Sequence, residues 1–273
     1  MPGTPRGRGR RPPVLKKFGQ HFLNDKKILT AIVDALALTA HDIVVEIGPG
    51  RGSLTQILAE RAARVVAVEI DRALAANLRD AYRERPQVEI VEGDFLETDL
   101  TTVGDDYLLI GNVPYNITTP IVFKALEPPI PRRSVFLVQR EVAERMSANA
   151  GDEDYGALTI NVAVVAGVEQ VLTVPAAAFS PPPKVESAVV RLTPLANPIV
   201  SLELLPSFRT FVQAAFGLRR KQMVRVLRSI RGLSADEAGA VLKTAGIDSS
   251  ARPEVVSPRE FATIFELLGR SVK

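Results

Sequence analysis

Four consecutive residues, Asn112-Val113-Pro114-Tyr115, offer what a poor nucleophile needs. The lone pair of an amine attached to an aromatic base is delocalised into the ring. The side-chain oxygen of Asn112 and a backbone carbonyl at Val113 or Pro114 can accept its two N–H bonds and turn the lone pair outward. Pro114 stiffens the turn and keeps a neighbouring carbonyl out of strand pairing. Tyr115 supplies a face for a base taken out of its stack. Group transfer to such an amine needs orientation more than a strong base. The chain has no cysteine and only two histidines, His21 and His41. By themselves the four residues also fit a proline turn with a packing tyrosine, so their neighbours decide.

Upstream, the β-branched run 43–47 ends in Gly48-Pro49-Gly50-Arg51-Gly52. A strand, a glycine turn and a helix place backbone N–H groups and a helix N-terminus beside a ligand. The dinucleotide fingerprint G-x-G-x-x-G is not met, since its third glycine would fall at Ser53. Glu69, at the end of the next strand run, can take two ribose hydroxyls, with Ile70 beside it. Asp94, in Glu92-Gly93-Asp94-Phe95 after the third run, is placed for an adenine amine, and Phe95 joins the candidate set. Either a turn glycine or a strand-end acid alone is a weak signal. As an ordered set at successive strand ends they suit S-adenosyl-L-methionine better than NAD.

These residues need a frame, and the pattern supplies one. Short apolar runs at 43–47, 65–70, 88–91, 107–110 and 135–138 alternate with helical periodicities at 26–38, 53–60, 73–83 and 120–126. Such alternation predicts a doubly wound α/β sheet. With the S-adenosyl-L-methionine set at its strand ends, the expected fold is a Rossmann-like class I methyltransferase sheet. After residue 156 the pattern changes. A helix at 157–166 leads to strands at 170–174 and 187–192, which fit an antiparallel hairpin added to the sheet edge. Beyond about residue 198 only helical patterns remain. The reading is a basic flexible arm at 1–17, a catalytic domain at 18–195, and a small all-helical domain at 196–273.

Composition narrows the class. The chain has 273 residues, 46% apolar and 24% charged, ordinary for a globular protein. Without cysteine there is no disulfide, thiolate zinc site or cysteine nucleophile, and no metal is expected. The longest uncharged apolar run, 157–168, is far short of the ~20 residues of a membrane span, and no secretory signal is read. A cytoplasmic monomer away from the membrane is expected. Residues 1–17 carry six cations and residues 207–231 seven, with no acid in either stretch, so the remainder nets −10 against an overall +3. Two basic clusters on an acidic body point to a polyanion. In the second, Lys221, Arg225 and Arg228 at i, i+4, i+7 predict one basic helix stripe behind the apolar Phe208, Phe211, Val212 and Phe216.

Taken together, the chain resembles the KsgA-type family of small-subunit rRNA adenine N6,N6-dimethyltransferases from Lys16 to about Arg228. The carrying motifs are Lys17-Phe18-Gly19-Gln20-His21-Phe22-Leu23, Glu46-Ile47-Gly48-Pro49-Gly50, Val68-Glu69-Ile70-Asp71, Gly111-Asn112-Val113-Pro114-Tyr115-Asn116-Ile117, Phe179-Ser180-Pro181-Pro182-Pro183-Lys184-Val185-Glu186-Ser187 and Arg219-Arg220-Lys221. The resemblance implies cofactor contacts from His21, Leu23, Gly48, Glu69, Asp94 and Asn112, and a target adenine sandwiched by Tyr115 and Phe179. It implies RNA contacts from Arg219, Arg220, Lys221 and Arg225, and as partner the 16S rRNA of a small-subunit precursor, methylated at two adjacent adenosines of its 3′-terminal hairpin. His21 departs from the family's frequent Asn, Val113 from Leu and Val226 from Asn. Asp152-Glu153-Asp154 stand where a basic residue is common. The rival readings are an Erm-type 23S rRNA methyltransferase, which shares the first five motifs, and a non-catalytic RNA-binding assembly factor.

Overall fold

The computed structural model describes residues 21–270. The arm at 1–17 and the first four residues of the motif beginning at Lys17 lie outside the described residues.

A seven-stranded sheet carries the molecule. Its strands are β2 (Ile43–Ile47), β3 (Arg64–Glu69), β4 (Val88–Glu92), β5 (Leu108–Asn112), β6 (Arg133–Gln139), β7 (Ala166–Val174) and β9 (Ser187–Pro194), in the order β4-β3-β2-β5-β6-β9-β7. Pairings from β4 to β6 are parallel, and β9 joins β6 and β7 antiparallel. The doubly wound α/β sheet and the edge hairpin read from the sequence are therefore present. Strand order reverses beside β2, whose neighbours are β3 and β5. Ligands of open α/β sheets bind outside the strand ends at such a switch point.

The apolar runs explain the layers. Val44, Leu108, Ile110, Val135 and Leu137 face one side, packing with Leu29, Ile32 and Val33 of α1 (Lys26–Ala35) and Leu58 of α2 (Ser53–Arg61). Val45, Ile47, Leu109, Phe136 and Val138 face the other. That second layer is continuous with Phe208, Phe211 and Val212 of α7 (Leu205–Phe216), Val226 and Leu227 of α8 (Met223–Arg231), Ala238 and Leu242 of α9 (Ala235–Thr244), and Phe261 and Ile264 of α10 (Pro258–Arg270). Strands buried on both faces read as near-continuous apolar runs, which is why they were easy to find. The helices α3 (Arg72–Ala81), α4 (Thr118–Lys124) and α6 (Ala157–Ala163) follow their strands or precede the hairpin.

Several boundaries move. Helix α1 stops at Ala35 rather than residue 38, because Ala37 takes a left-handed φ of 48° that closes the turn. Helix α6 ends at Ala163 and β7 starts at Ala166, since Ala166 and Gly167 pair with Pro194 and Thr193. Sheet pairing takes the residues that periodicity gave to the helix. Helix α5 (Arg140–Ser147) was not anticipated; only its Ala143 and Met146 are buried, too few apolar positions to show a period. Two-residue strands β1 (Phe22–Leu23) and β8 (Phe179–Ser180), which pair antiparallel, are likewise too short for a pattern.

The predicted basic stripe is corrected. Helix α8 begins at Met223, whose amide donates to the Ala251 carbonyl at 2.7 Å, so Lys221 lies in the preceding turn and only Arg225 and Arg228 are helical. Arg209 also leaves the cluster. It is 9% exposed, paired at 2.5 Å with Glu127, and its guanidinium lies 4.4 Å from the Phe123 ring centroid.

Candidate active site

The chain after β2 turns through residues 48–52 before α2. Gly48 and Gly50 have φ of 61° and 59°, a region L side chains rarely adopt. A Cβ on Gly50 would stand 3.0 Å from the Phe22 ring, whereas a Cβ on Gly48 would meet nothing within 4 Å. The turn thus has strand β1 on one side and open space on the other, where a ligand can approach the backbone. The Arg51 guanidinium lies 4.1 Å from the Phe22 ring centroid and ties β1 to the turn.

Glu69 ends β3 and is 4% exposed. Its Oε2 accepts the Gly50 amide and its Oε1 the Asp71 amide, both at 2.8 Å. Each oxygen keeps a lone pair for a hydroxyl donor. Burial raises the Glu69 pKa, opposed by the N–H donors of Asp71 and Gly50. The segment after β4 sits beside it, since the Gly93 amide donates to the Glu69 carbonyl at 2.9 Å. Asp94 there is half-buried, with Oδ1 accepting the Leu96 amide at 2.8 Å.

At the end of β5, Val113 N–H donates to the Leu137 carbonyl, which holds the Asn-Val-Pro-Tyr turn against β6. The Asn112 Nδ2 donates to the His21 carbonyl at 2.9 Å. A carbonyl can only accept, so the amide orientation is set and Oδ1 is left to receive a donor. The Pro114 carbonyl is already used by Ile117 N–H and the Thr118 hydroxyl. Tyr115 shares a hydrogen bond of 2.7 Å with Ser187, at the start of β9, and burial raises its pKa.

One cleft collects these parts. His21, Leu23, Gly48, Gly50, Glu69, Ile70, Asn112, Val113, Pro114 and Tyr115 all line it, as does the exposed apolar face of Ile70. Asp94, Phe95 and Phe179 are not among its lining residues. Phe95 and Phe179 are each 4% exposed, Phe179 packed with Leu23 behind the cleft through the β1–β8 pair. Arg219, Arg220, Lys221 and Arg225 lie elsewhere, around the α7–α8 turn; all four are exposed, and none forms an ion pair with a described acid.

Sequence pattern had not singled out Glu46 as a site residue. An acid inside Ile43–Ile47 is the only signal, and it is a strong one once that strand is known to be buried on both faces. Glu46 is 1% exposed, lines the cleft, and its Oε2 has no partner. Burial pushes its pKa up to about 8, with the Glu69 charge adding to the rise and the Thr55 side chain offsetting part of it. A buried acid with one free oxygen beside a second acid suits a cationic ligand, whose charge would favour the ionised form of Glu46. With the open backbone at Gly48 and the two free lone-pair sites of Glu69, the residues present fit S-adenosylmethionine, a cation bearing a ribose.

A doubly wound sheet whose strand-end acid, glycine turn and Asn-Val-Pro-Tyr turn line one cleft has the frame of a Rossmann-like methyltransferase. Solved structures share the whole frame. A dimethyladenosine transferase from Plasmodium falciparum superposes with a TM-score of 0.78 at 26% identity, covering 92% of this chain and 98% of that one. The 23S rRNA methyltransferase ErmE gives 0.71 at 31% identity, over 91% and 99%. Ribosomal RNA small subunit methyltransferase A of Geobacter metallireducens is 39% identical over 266 residues, covering 95% of this chain and 96% of the relative. Its namesake from Myxococcus xanthus is 42% identical over 92% and 90%. The ribosomal RNA adenine dimethylase family matches residues 14–270, and the chain belongs to that family. It is an enzyme, and S-adenosylmethionine is its cofactor.

Proposed function

We propose that this protein dimethylates N6 of two adjacent adenosines in the 3′-terminal hairpin of 16S rRNA, within a small-subunit precursor. The observation that carries the proposal is the oriented Asn112 amide: its Nδ2 is committed to the His21 carbonyl, so Oδ1 is left to accept from a substrate donor in the cleft that Glu69 and the glycine turn also line. Full-length relatives named for the small subunit support the choice of RNA over the 23S alternative.

When bound, S-adenosylmethionine supplies a methyl made electrophilic by its sulfonium. Glu69 would take the ribose hydroxyls, Asp94 the adenine amine through its second oxygen, and Glu46 the cationic end. The apolar Leu23, Ile70 and Phe95 complete that wall. At the reacting end Asn112 Oδ1 accepts one N–H of the target amine. The Val113 carbonyl accepts the other, because that of Pro114 is occupied. With both hydrogens held, the amine lone pair is directed out of conjugation, and most of the rate gain comes from orientation. Tyr115 supplies the stacking face. Phe179 is buried behind the β1–β8 pair, so stacking from the other side would require it to become exposed.

Arg219, Arg220, Lys221 and Arg225 would contact phosphates as the RNA-binding edge of the helical unit at 196–273. Changing Arg220, Lys221 and Arg225 to Ala should flatten the dependence of RNA affinity on salt and leave cofactor affinity alone. An unaltered slope would remove the cluster from the interface. Among the described residues no helix is long and apolar enough to cross a membrane. We place the enzyme in the cytoplasm as a monomer.

The deciding experiment is mass spectrometry of rRNA nucleosides after incubation with a small-subunit precursor. Two N6,N6-dimethyladenosines in 16S rRNA are expected. One in 23S rRNA would move the protein to the Erm reading, and tight particle binding without any methyl transfer to the assembly-factor reading.

A further inference from the structure

We propose that the His21 imidazole is a positioning residue for the target base and not a side-chain ligand of the cofactor; this rests on the proposed role of Tyr115. His21 lies just before β1, half-buried on the cleft wall. Its ring stacks on that of Tyr115, with centroids 5.8 Å apart and planes at 21°. Its Nδ1 is 2.8 Å from the Pro181 carbonyl, a bond across 160 residues of chain. Because that carbonyl can only accept, Nδ1 is the donor, and the ring plane is fixed from two directions.

Tyr115 is consequently held at both ends, by Ser187 through its hydroxyl and by His21 through its face. The His21 backbone carbonyl also takes the Asn112 amide. One residue therefore braces the stacking ring and the amine acceptor at once. A flat ring is needed for the first task, whereas any residue provides the carbonyl for the second. Orientation at a reacting centre is sensitive to small displacements, so a loosened Tyr115 should cost turnover. An Asn at this position could keep the donor to Pro181 but could not stack on Tyr115.

The test uses the full-length enzyme, S-adenosylmethionine and unmethylated small-subunit particles. His21→Ala should lower turnover about 5-fold or more, the scale of one aromatic pair, with cofactor affinity by calorimetry changed less than about 2-fold. His21→Phe restores the ring and should recover most of the rate. His21→Asn restores only the donor and should stay slow. On a Tyr115→Ala background, His21→Ala should cost nothing further, since the effect runs through that ring. The proposal would be overturned by cofactor affinity falling in step with turnover, or by recovery with Asn and not with Phe. If Tyr115→Ala itself turns over normally, the stacking reading fails. If Tyr115→Ala is slow while His21→Ala is not, only the role of His21 fails.

Discussion

On the side proposed for the cofactor, the cleft is walled by neighbouring stretches of chain. Residues 48–52 and 69–71 are successive strand ends, and the bond that joins them, Gly50 to Glu69, spans 19 residues. The reacting side is assembled from far apart: Asn112 to His21 spans 91 residues, Tyr115 to Ser187 spans 72, and His21 to Pro181 spans 160. A wall made of strand ends is stiff because the sheet is stiff. A wall made of long-range ties is only as firm as the β1–β8 pair and β9 that carry them. The contrast suggests that cofactor binding should survive damage that abolishes methyl transfer.

The largest expected effect tests that directly. Phe179 anchors β8 to β1 at 4% exposure, so Phe179→Ala should lower the unfolding free energy by ~3–5 kcal/mol. Denaturant titration is the check, and a loss under ~1 kcal/mol would mean the pair is not what secures the reacting side. Next comes Asn112→Ala, which removes one acceptor from a preorganised centre and should cut turnover ~100-fold or more while RNA binding holds. Normal turnover in that variant would displace Asn112 from the chemistry. On the other wall, Glu69→Ala should weaken S-adenosylmethionine ~10-fold or more, the scale of hydrogen bonds to a charged group. Calorimetry showing wild-type affinity in a folded variant would take the ribose away from Glu69.

The smallest effect is a pH slope. Glu46 holds its proton up to about pH 8 when folded, against 4.5 for an unperturbed side chain. Between those values the folded chain binds more protons than the unfolded chain, so stability of the cofactor-free protein should fall as pH rises. Glu46→Gln should flatten the Tm-versus-pH curve over that interval. A slope that persists would have to come from another group.

Much of this molecule could be read from residue order alone. Parallel strands buried on both faces leave runs such as Ile43–Ile47 and Arg64–Glu69, and the turns that end them carry Gly48, Gly50, Glu69 and Asn112. Fold class follows, and the residues proposed for the cofactor wall are legible because they sit at or just past the ends of strands that local pattern reveals. Where pattern failed, the cause was length or competition. Two-residue strands have no period, α5 buries only Ala143 and Met146, and sheet pairing extended β7 into residues with helical spacing. The sign of the charge at 219–231 was legible, but its geometry was not, since an amide bond from Met223 to Ala251 sets where α8 starts.

Three things needed the folded chain. The withdrawal of Arg209 from the basic cluster depends on Glu127 and Phe123, which no spacing rule connects to it. The abnormal proton affinity of Glu46 depends on how completely the sheet and α2 exclude water from it. The orientation of Asn112 depends on a carbonyl 91 residues away. Motifs state which groups are available, because side-chain chemistry travels with the residue. Partners, burial and direction are properties of space, and they exist only when distant segments are packed together.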